Sequence, residues 1–562
     1  MSRAPKRLLL ADYDKGRLIF ENGLTHEAHD TPREDIYEDL DGMLFDRGAD
    51  RNDLARQGWC VVAPAGDRGT KLVALVKKLI DKRRRDSGEG PVFDPIFIEA
   101  ASRKDTLLQA NTWVKNNIDD PKKRHSQIPH YRLILGDLHE VPLVIQQALA
   151  SNGPTGRLAF DRDADYVSYV EKLLRWEENP SPADKGDAIL HTIHDATSEL
   201  TSAHEDLVKP VLAGLQERYD FDEVRVREIV PSEQRSPDIE ALFGRVEGET
   251  LPPSLLFSTS HGAGPKPGGW QNAKEQRAHQ GAMVFAQHGS ILDADKLASR
   301  RFLPGGVWFM FGCFGAGTPR ESLYEQWLRQ IYGDGSAEVK KATQAIPRQG
   351  WSPFIAALPK AALANPDGPL AFIGHVDLAW SYAYQEIDGL GSRPQLFTNT
   401  ITDILEGYRV GVGFGELSKH RQSVETQLSV TFSSLVRRKL DWRVNASYFD
   451  QWMLLQDLKG YVLLGDPAAR LPLTVRQQPP LQQTRWGSPY YSIPGAQTLS
   501  PSAVSLDGQE RLHAVLAVRG GVPVEVVARW VGARADEIRE WERRFLEAGR
   551  TALVSVDPRS GL

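Results

Sequence analysis

Two short apolar runs, each ending on a reactive side chain in a glycine-rich turn, most constrain what this chain can fold into. The first covers residues 254–264 and contains His261, and the second covers residues 306–317 and contains Cys313. A short, continuous apolar run bounded by Gly and Pro is typical of a buried strand. Because neighbouring parallel strands end at the same edge of a sheet, where open α/β sheets bind ligands, we expect both side chains to meet there.

A histidine followed by a cysteine is a combination suited to nucleophilic catalysis. The thiolate is the nucleophile, and a nearby His takes the thiol proton and later protonates a leaving amine. His261 lies about 50 residues before Cys313, the separation found in caspases. The adjacent glycines let a substrate backbone approach closely and leave N–H groups free to hold an oxyanion. We therefore expect Cys313 as nucleophile, His261 as general base and acid, and the N–H groups of Gly262 and Cys313 as oxyanion donors.

Each of these residues also has a purely structural interpretation. A lone Cys at the end of a buried strand is usually a small core residue, and a lone His-Gly pair is common. A second pair, His288-Gly289, lies 25 residues before Cys313, which is short for a complete strand–helix–strand crossover. The order and spacing of His261 and Cys313 together favour the catalytic interpretation.

Composition excludes several classes of protein. The chain has 562 residues, which predicts two to four domains, and a net charge of −6, which gives no general attraction to nucleic acid or anionic membranes. Its two cysteines cannot form a disulfide framework or a cysteine-based zinc site, and they fit a reducing compartment. The first residues become polar at Asp12, too soon for a secretory segment, and no apolar run approaches membrane-spanning length. We expect a cytoplasmic protein with no metal ion, no cofactor and no membrane partner.

Segments with strand-like and helix-like patterns alternate from Trp59 onward, which predicts an α/β fold with mainly parallel sheets. Helices are expected over residues 71–85, 205–219, 397–414 and 426–440, and residues 324–366 are expected to form a long regulatory or substrate-gating loop. The predicted organisation is an N-terminal arm (1–54), a first α/β subdomain (55–180), a catalytic α/β subdomain (181–474), a linker rich in Gln, Pro and Ser (475–504) and a small all-helical domain (505–562).

Between about Trp59 and Leu473 the chain resembles the gingipain-type cysteine peptidases, which have the caspase-like fold. The resemblance rests on the order of several short motifs: Leu-Ile-Leu-Gly-Asp (133–137), Val-Pro (141–142), Gly-Arg-Leu (156–158), residues 169–177, His-Gly (261–262), Cys-Phe-Gly (313–315), residues 373–380 and Leu-Gly-Asp-Pro (464–467). It implies two side-by-side α/β subdomains and an endopeptidase whose second subdomain carries Cys313 and His261 as the catalytic pair.

The same resemblance suggests further site residues. An acidic helper in the family comes from the end of the first strand of the catalytic subdomain, where Asp195 is the nearest match. A surface aspartate at a strand end is the structural alternative for that residue. Trp380 matches the tryptophan that lines the family's primary specificity pocket. Some members add an acid that holds an Arg or Lys side chain, and Asp377, Glu205 or Asp206 would take that role if the chain cleaves after basic residues.

The C-terminal region resembles the helix-turn-helix modules of transposase-like proteins, with a recognition helix starting near Ala535. From residue 505 onward, nine arginines are matched by nine acidic residues, whereas a phosphate-binding face needs a net positive charge. DNA binding by this region and recruitment of an activator or partner protein therefore both remain open.

The sequence as a whole predicts a regulated cytoplasmic cysteine endopeptidase that cleaves protein or peptide substrates, with bacterial stress or defence signalling as a hypothesis for its role. One alternative is a DNA-associated or protein-binding regulator whose peptidase fold is an inactive scaffold. Another is a cysteine-dependent acyl transferase that uses the same pair of residues.

Overall fold

The structure is a computed structural model that describes most of the chain between residues 50 and 474 and two small parts outside it. The described residues are 9–12, 16, 50–88, 93–99, 106–119, 128–219, 224–229, 238–247, 252–285, 290–348, 350–385, 393–440, 446–474, 515, 524, 528, 533–541 and 543–544. The predicted linker 475–504, most of the predicted arm and the second His-Gly pair at His288 lie outside them. Those described up to residue 474 belong to one compact unit, and those from 515 onward belong to a second.

The first unit alternates strands and helices along the chain. The strands are β1 (Leu10–Asp12), β2 (Trp59–Pro64), β3 (Ile96–Ile98), β4 (Tyr131–Leu135), β5 (Thr155–Leu158), β6 (Asp187–Thr192), β7 (Val226–Ile229), β8 (Ser254–Thr259), β9 (His261–Gly264), β10 (Met283–Val284), β11 (Ile291–Leu292), β12 (Val307–Phe311), β13 (Gly317–Thr318), β14 (Phe354–Ile355), β15 (Ala371–His375) and β16 (Tyr461–Gly465). The helices are α1 (Leu54–Gln57), α2 (Asp67–Leu75), α3 (Lys77–Asp86), α4 (Leu107–Asn117), α5 (Leu143–Asn152), α6 (Asp163–Glu178), α7 (Ser198–Ala203), α8 (Lys209–Arg218), α9 (Ile239–Val246), α10 (Ala273–His279), α11 (Ala294–Ala298), α12 (Glu325–Tyr332), α13 (Ala337–Thr343), α14 (Ala357–Ala364), α15 (Gln395–Leu405), α16 (Val410–Arg437) and α17 (Ala446–Gly460).

Ten of the strands form one continuous sheet in the order β3-β2-β4-β5-β16-β15-β12-β8-β6-β7. All neighbouring pairs are parallel except β15 and β16, which are antiparallel. The sheet therefore consists of two parallel blocks that run in opposite directions and join at that pair. The α/β class with a mainly parallel sheet, predicted from the sequence, is confirmed.

The apolar runs form strands because both faces of this sheet are covered. Every residue of β8 and β12 is buried, as expected for parallel strands with helices on each side. The rings of Phe257, Phe309 and Phe397 pack together across β8, β12 and α15, with centroids between 5.2 and 5.9 Å apart. Such buried rings contribute both apolar area and edge-to-face contacts, which fix the spacing of the strands that carry the site.

Helix boundaries differ from the sequence expectations at several places. The helix expected over residues 71–85 is two helices, α2 and α3, which meet at Val76. The helix expected from residue 205 begins earlier, at Ser198, and passes through a π-helical turn at His204–Val208 before α8. The helix expected over residues 397–414 is interrupted after Leu405, where Gly407 adopts a positive φ of 82°. Glycine adopts such a φ at little cost, so it provides the turn between α15 and α16.

The stretch over residues 324–366, expected as a long loop, contains three helices and a short strand instead: α12, α13, β14 and α14. In α12, Trp327 and Leu328 are buried and lie three and four residues after the buried Tyr324, and in α14 the buried Leu358 and Ala362 are four residues apart. Apolar residues spaced three or four apart are typical of helices that pack on the core, and the sequence analysis did not recognise this pattern.

A second, four-stranded sheet has the order β1-β9-β10-β11. Strand β1 lies parallel to β9, with Leu10 opposite Gly262 and Asp12 opposite Gly264. Residues 10–12 of the predicted arm thus form a strand, and Leu9, Leu10 and Ala11 are fully buried.

Buried charges link elements of the block that contains β2 and β16. Arg83 of α3 is 1% exposed and bonds Glu177 of α6 at 2.6 and 2.9 Å. It also donates through Nε to Asp466, just after β16, at 2.8 Å. Asp466 in turn accepts a hydrogen bond from the indole of Trp59 in β2. Four elements distant in sequence therefore share one hydrogen-bonded cluster.

The second unit is described only in part. Residues 535–541 are helical, and Ile538 and Ala528 are buried against Val524 and Trp541. Arg543 and Arg544 both donate to Glu540 of the same segment, so the charge of these two arginines is partly neutralised locally. The rest of the predicted helix-turn-helix module lies outside the described residues. Within the described part of the chain, no helix combines the length and apolar character needed to cross a bilayer.

Candidate active site

Four adjacent strands of the large sheet bring the predicted site residues to one edge. In the order β15, β12, β8 and β6, their carboxyl ends are followed by Trp380, Cys313, His261 and Asp195. In the parallel register Phe311 lies opposite Thr259, and Thr259 lies opposite Thr192. His261 and Cys313 each lie two residues beyond such a pair, so the sheet topology itself makes them neighbours.

The imidazole of His261 is held through Nε2. This atom lies 3.2 Å from Oδ2 of Asp195 and 3.2 Å from Oγ1 of Thr197. The Thr197 hydroxyl donates its own proton to Oδ1 of Asp195 at 2.5 Å, so its oxygen is an acceptor toward the ring. Two acceptors at Nε2 keep the proton on that nitrogen and leave Nδ1 as the basic atom of the neutral ring. Nδ1 is buried and has no hydrogen-bond partner among the described residues.

A tight turn after β6 positions the Asp195 carboxylate. Its Oδ1 accepts hydrogen bonds from the backbone N–H and the hydroxyl of Thr197, and Ala196 between them has a positive φ of 62°. Backbone strain of this kind is stored where the surrounding structure fixes a functional geometry. Burial acts to raise the pKa of Asp195, but the hydrogen bonds from His261 and Thr197 outweigh it, so the pKa is lowered and the carboxylate stays ionised.

Cys313 follows β12 in a turn of similar character. Its Sγ accepts a hydrogen bond from the N–H of Ala379 at 3.2 Å, and the next residue, Phe314, has a positive φ of 56°. The thiol is fully buried, and burial raises its pKa well above the ordinary value. A thiol in this state is protonated at neutral pH and needs a base or the entry of water before it can attack.

Strand β9 lies so close to the turn after β12 that there is no room for a side chain between them at Gly262. A Cβ added to Gly262 would lie 1.8 Å from the carbonyl oxygen of Cys313. Only glycine fits at this position, and the contact brings the N–H groups of Gly262 and Cys313 to the same side.

These two N–H groups converge on one oxygen atom. Gly262 N donates to the carbonyl oxygen of Leu9 at 3.1 Å, and Cys313 N donates to the same oxygen at 3.3 Å. The N–H of Leu9 donates to the carbonyl oxygen of Ala379 at 3.3 Å. The peptide carbonyl of Leu9 is thus held beside the cysteine by donors from two strand ends.

Trp380 follows Ala379 and is fully buried. Its ring packs against Tyr324 and Trp327, with centroids 5.8 and 5.9 Å away. The backbone around it is anchored by Asp457 of α17, whose carboxylate accepts hydrogen bonds from the N–H groups of Trp380 and Ala383. The surroundings of Trp380 are therefore aromatic, and its backbone is held by hydrogen bonds.

The three acids suggested for a pocket that binds an Arg or Lys side chain differ in burial and in hydrogen-bond partners. Asp377 is buried, and its oxygens accept hydrogen bonds from the hydroxyl of Ser322 and the N–H groups of Leu323 and Leu378. Burial raises its pKa to about 6. Glu205 is half-exposed and pairs with Lys209, so it is not brought to Cys313. Asp206, the third candidate, accepts a hydrogen bond from Gln385, in the segment after Trp380.

Three groups of the candidate site were not predicted from the sequence. Thr197 carried a detectable signal, since a threonine just before a helix is a preferred N-cap, and it caps α7. Asp457 lies inside a helix that the sequence reading did not predict. The Leu9 carbonyl carried no signal, because a backbone group is present at every residue and its position depends on contacts some 250 to 300 residues away in the chain, a separation that sequence patterns do not encode.

No family model matches this sequence, and no curated protein matches it. Three solved structures are similar to it over most of their length. One, described as the structure of a protease, is 12% identical and has a TM-score of 0.42, with 75% of this chain and 80% of the other covered. The Arg-specific cysteine proteinase gingipain R is 15% identical, with a TM-score of 0.39 and coverages of 74% and 78%. The complex of the Porphyromonas gingivalis RgpB pro- and mature domains is 13% identical, with a TM-score of 0.39 and coverages of 74% and 80%.

Proposed function

We propose that this chain is a cysteine endopeptidase in which Cys313 is the nucleophile, His261 the general base and acid, and Asp195 the residue that orients the histidine. The observation that supports it best is the carbonyl oxygen of Leu9, which accepts hydrogen bonds from the N–H groups of Gly262 and Cys313. Paired donors beside a nucleophile are what stabilises the oxyanion of acyl transfer.

The reaction needs only these groups and water. The Cys313 thiol gives its proton to Nδ1 of His261, and the thiolate forms a C–S bond to the scissile carbonyl carbon. The N–H groups of Gly262 and Cys313 hold the resulting oxyanion. Collapse breaks the C–N bond, and the amine leaves with the proton from Nδ1. Water, deprotonated by His261, then hydrolyses the thioester and restores the free thiol.

Protein substrates, regulation and a cytoplasmic location belong to the same proposal. The full burial of Cys313 and His261 supports a regulated enzyme, because substrate cannot reach either group in this state. We also propose that the C-terminal unit binds a partner protein rather than DNA, since Arg543 and Arg544 are paired with Glu540. Salt-dependent binding of the full chain to duplex DNA, measured by fluorescence anisotropy, would contradict the proposal that this unit binds a protein and not DNA.

The proposal is tested by labelled-casein hydrolysis and by labelling with an acyloxymethyl ketone panel carrying basic, acidic or apolar P1 groups. We expect Cys313→Ala and His261→Ala to abolish both signals. Cys60→Ala is the matched control, because Cys60 is the second cysteine and lies buried in β2. Each protein is measured before and after limited proteolysis, which separates a latent enzyme from an inactive scaffold. Hydrolysis that survives in Cys313→Ala would exclude the proposed nucleophile.

A further inference from the structure

The segment Leu9–Asp12 passes through the candidate active site in the manner of a bound peptide. Its Leu9 carbonyl oxygen accepts the two N–H groups at the ends of β9 and β12, and its Leu9 N–H donates to Ala379. Beyond that carbonyl, Leu10 to Asp12 pair in parallel with β9. The backbone is therefore held on both sides of one peptide bond, that between Leu9 and Leu10.

An ordinary covering strand does not require this arrangement. Strand β1 could satisfy the edge of β9 through its parallel ladder alone, which includes the hydrogen bond from Gly262 N to the Leu9 carbonyl oxygen. That ladder does not account for the second hydrogen bond at the same oxygen, from the N–H of Cys313, which belongs to the site and not to the sheet. Leu9, Cys313 and His261 are all fully buried, so this segment also excludes solvent from the reactive groups.

We propose that Leu9–Asp12 is an intramolecular substrate mimic that closes the site, with Leu9 in the P1 position, and that the pocket it fills selects leucine-like apolar side chains at P1. This inference rests on the proposed peptidase function and deepens it by naming the substrate class and the element that restrains it. Removal or displacement of the segment opens the site to other peptides.

The surroundings of Leu9 favour an apolar P1 over a basic one. The Leu9 N–H donates to the carbonyl oxygen of Ala379, the residue before Trp380, and the side chains of Leu9 and Trp380 are both fully buried. Two buried carboxylates that hold the segment around Trp380, those of Asp377 and Asp457, already accept hydrogen bonds from N–H and hydroxyl groups. A buried cation would need a carboxylate that can pair with it, since an unpaired buried charge is strongly unfavourable.

The rival specificity has its own candidate acid. Asp450 of α17 is fully buried and directly follows Phe449, whose ring packs against Trp327 at 5.4 Å. If the pocket takes Arg or Lys, Asp450 is the residue to test. An arginine probe that labels faster than a leucine probe, and that loses this advantage in Asp450→Asn, would overturn the apolar assignment.

The first experiment needs no peptidase activity. Iodoacetamide alkylation of Cys313 is followed by mass spectrometry of the full chain, with the buried Cys60 as an internal reference, in wild type, Leu9→Ala and Leu54→Ala. Leu9 and Leu54 are both buried leucines near the start of the described chain, but only Leu9 touches the site. We expect Leu9→Ala to speed Cys313 alkylation roughly tenfold to hundredfold, since truncating a buried leucine favours local opening, and Leu54→Ala to leave it unchanged.

The second experiment measures labelling of wild type and Leu9→Ala with matched acyloxymethyl ketones carrying Leu, Arg or Asp at P1. We expect the leucine probe to react fastest, to react faster with Leu9→Ala than with wild type, and to fail with the added Cys313→Ala substitution. Equal alkylation rates in wild type and Leu9→Ala would overturn the closed-site assignment. Faster alkylation with no labelling by any probe would support the bound segment but overturn the peptidase function and its P1 pocket.

Discussion

The carboxylate of Asp195 lies 3.2 Å from Nε2 of His261, and this contact decides which nitrogen of the ring can act. With Thr197 as a second acceptor at the same atom, the proton resides on Nε2 and Nδ1 is left basic. The catalytic assignment of His261 therefore depends on a residue that could otherwise be a surface aspartate at a strand end. That dependence can be measured.

Asp195→Asn is expected to lower kcat/KM by up to about 10⁴-fold, because an amide can hold the ring in the wrong tautomer and cannot stabilise the imidazolium. The effect should fall on kcat, with KM little changed, since Asp195 orients a catalytic group and does not bind substrate. Steady-state kinetics on a peptide substrate, with thermal unfolding of each variant, checks both points.

Asp187→Asn is the matched control for this prediction. Asp187 lies at the opposite end of β6 and pairs with Arg227 at 3.2 Å, so its loss disturbs the same strand without touching the histidine. If Asp195→Asn keeps the wild-type kcat/KM, Asp195 does not orient the histidine for catalysis and has only a structural role.

The sequence predicted the parts of this site that depend on strand ends. Continuous apolar runs marked β8 and β12, and parallel order then brought His261 next to Cys313. The strand pattern alone did not distinguish between acids at strand ends, and only the family resemblance selected Asp195 as the helper. In the structure Asp195 contacts the histidine, whereas Asp377 accepts hydrogen bonds from Ser322 and two N–H groups. The two look alike in sequence because the difference lies in the side chains that meet them from distant segments. The catalytic, oxyanion and pocket roles stay predictions.

Gly262→Ala should remove most activity, because its Cβ would lie 1.8 Å from the Cys313 carbonyl oxygen and that backbone must move. Displacing an oxyanion donor costs about 10² to 10³-fold in kcat. Gly244→Ala is the control: its Cβ meets open space on α9, where alanine is expected to stabilise the helix by about 0.5–1 kcal/mol. Kinetics and unfolding are measured on both, and a fully active Gly262→Ala would rule out the assigned donor geometry.

Asp377 gives the fold a pH dependence of predictable sign. Burial raises its pKa to about 6 from an ordinary value of 3.8, so the native state binds this proton more tightly than the unfolded state. Its contribution is favourable at low pH and declines as pH rises through about 4 to 6, by roughly 3 kcal/mol. Asp377→Asn cannot ionise, so wild type should lose stability relative to the variant between pH 5 and pH 7 in urea unfolding. Parallel stability curves for the two proteins over that range would contradict the assignment.

Arg83→Met should destabilise the fold by about 3–5 kcal/mol, because it leaves the carboxylates of Glu177 and Asp466 buried without their cation.

The stabilisation by Arg83 should also depend on pH. Burial acts to raise the pKa of Glu177, but attraction to Arg83 outweighs it and the net pKa is lowered. The pair therefore stabilises wild type above about pH 4.5, and this stabilisation is lost as pH falls further. The difference between wild type and Arg83→Met in urea unfolding should consequently shrink from pH 7 to pH 4. Arg162→Met is the matched control. Arg162 is 78% exposed and pairs with Asp165 at the surface, so its loss should leave the free energy of unfolding almost unchanged. An Arg83→Met protein no less stable than Arg162→Met would show that the cation of the buried cluster does not stabilise the fold.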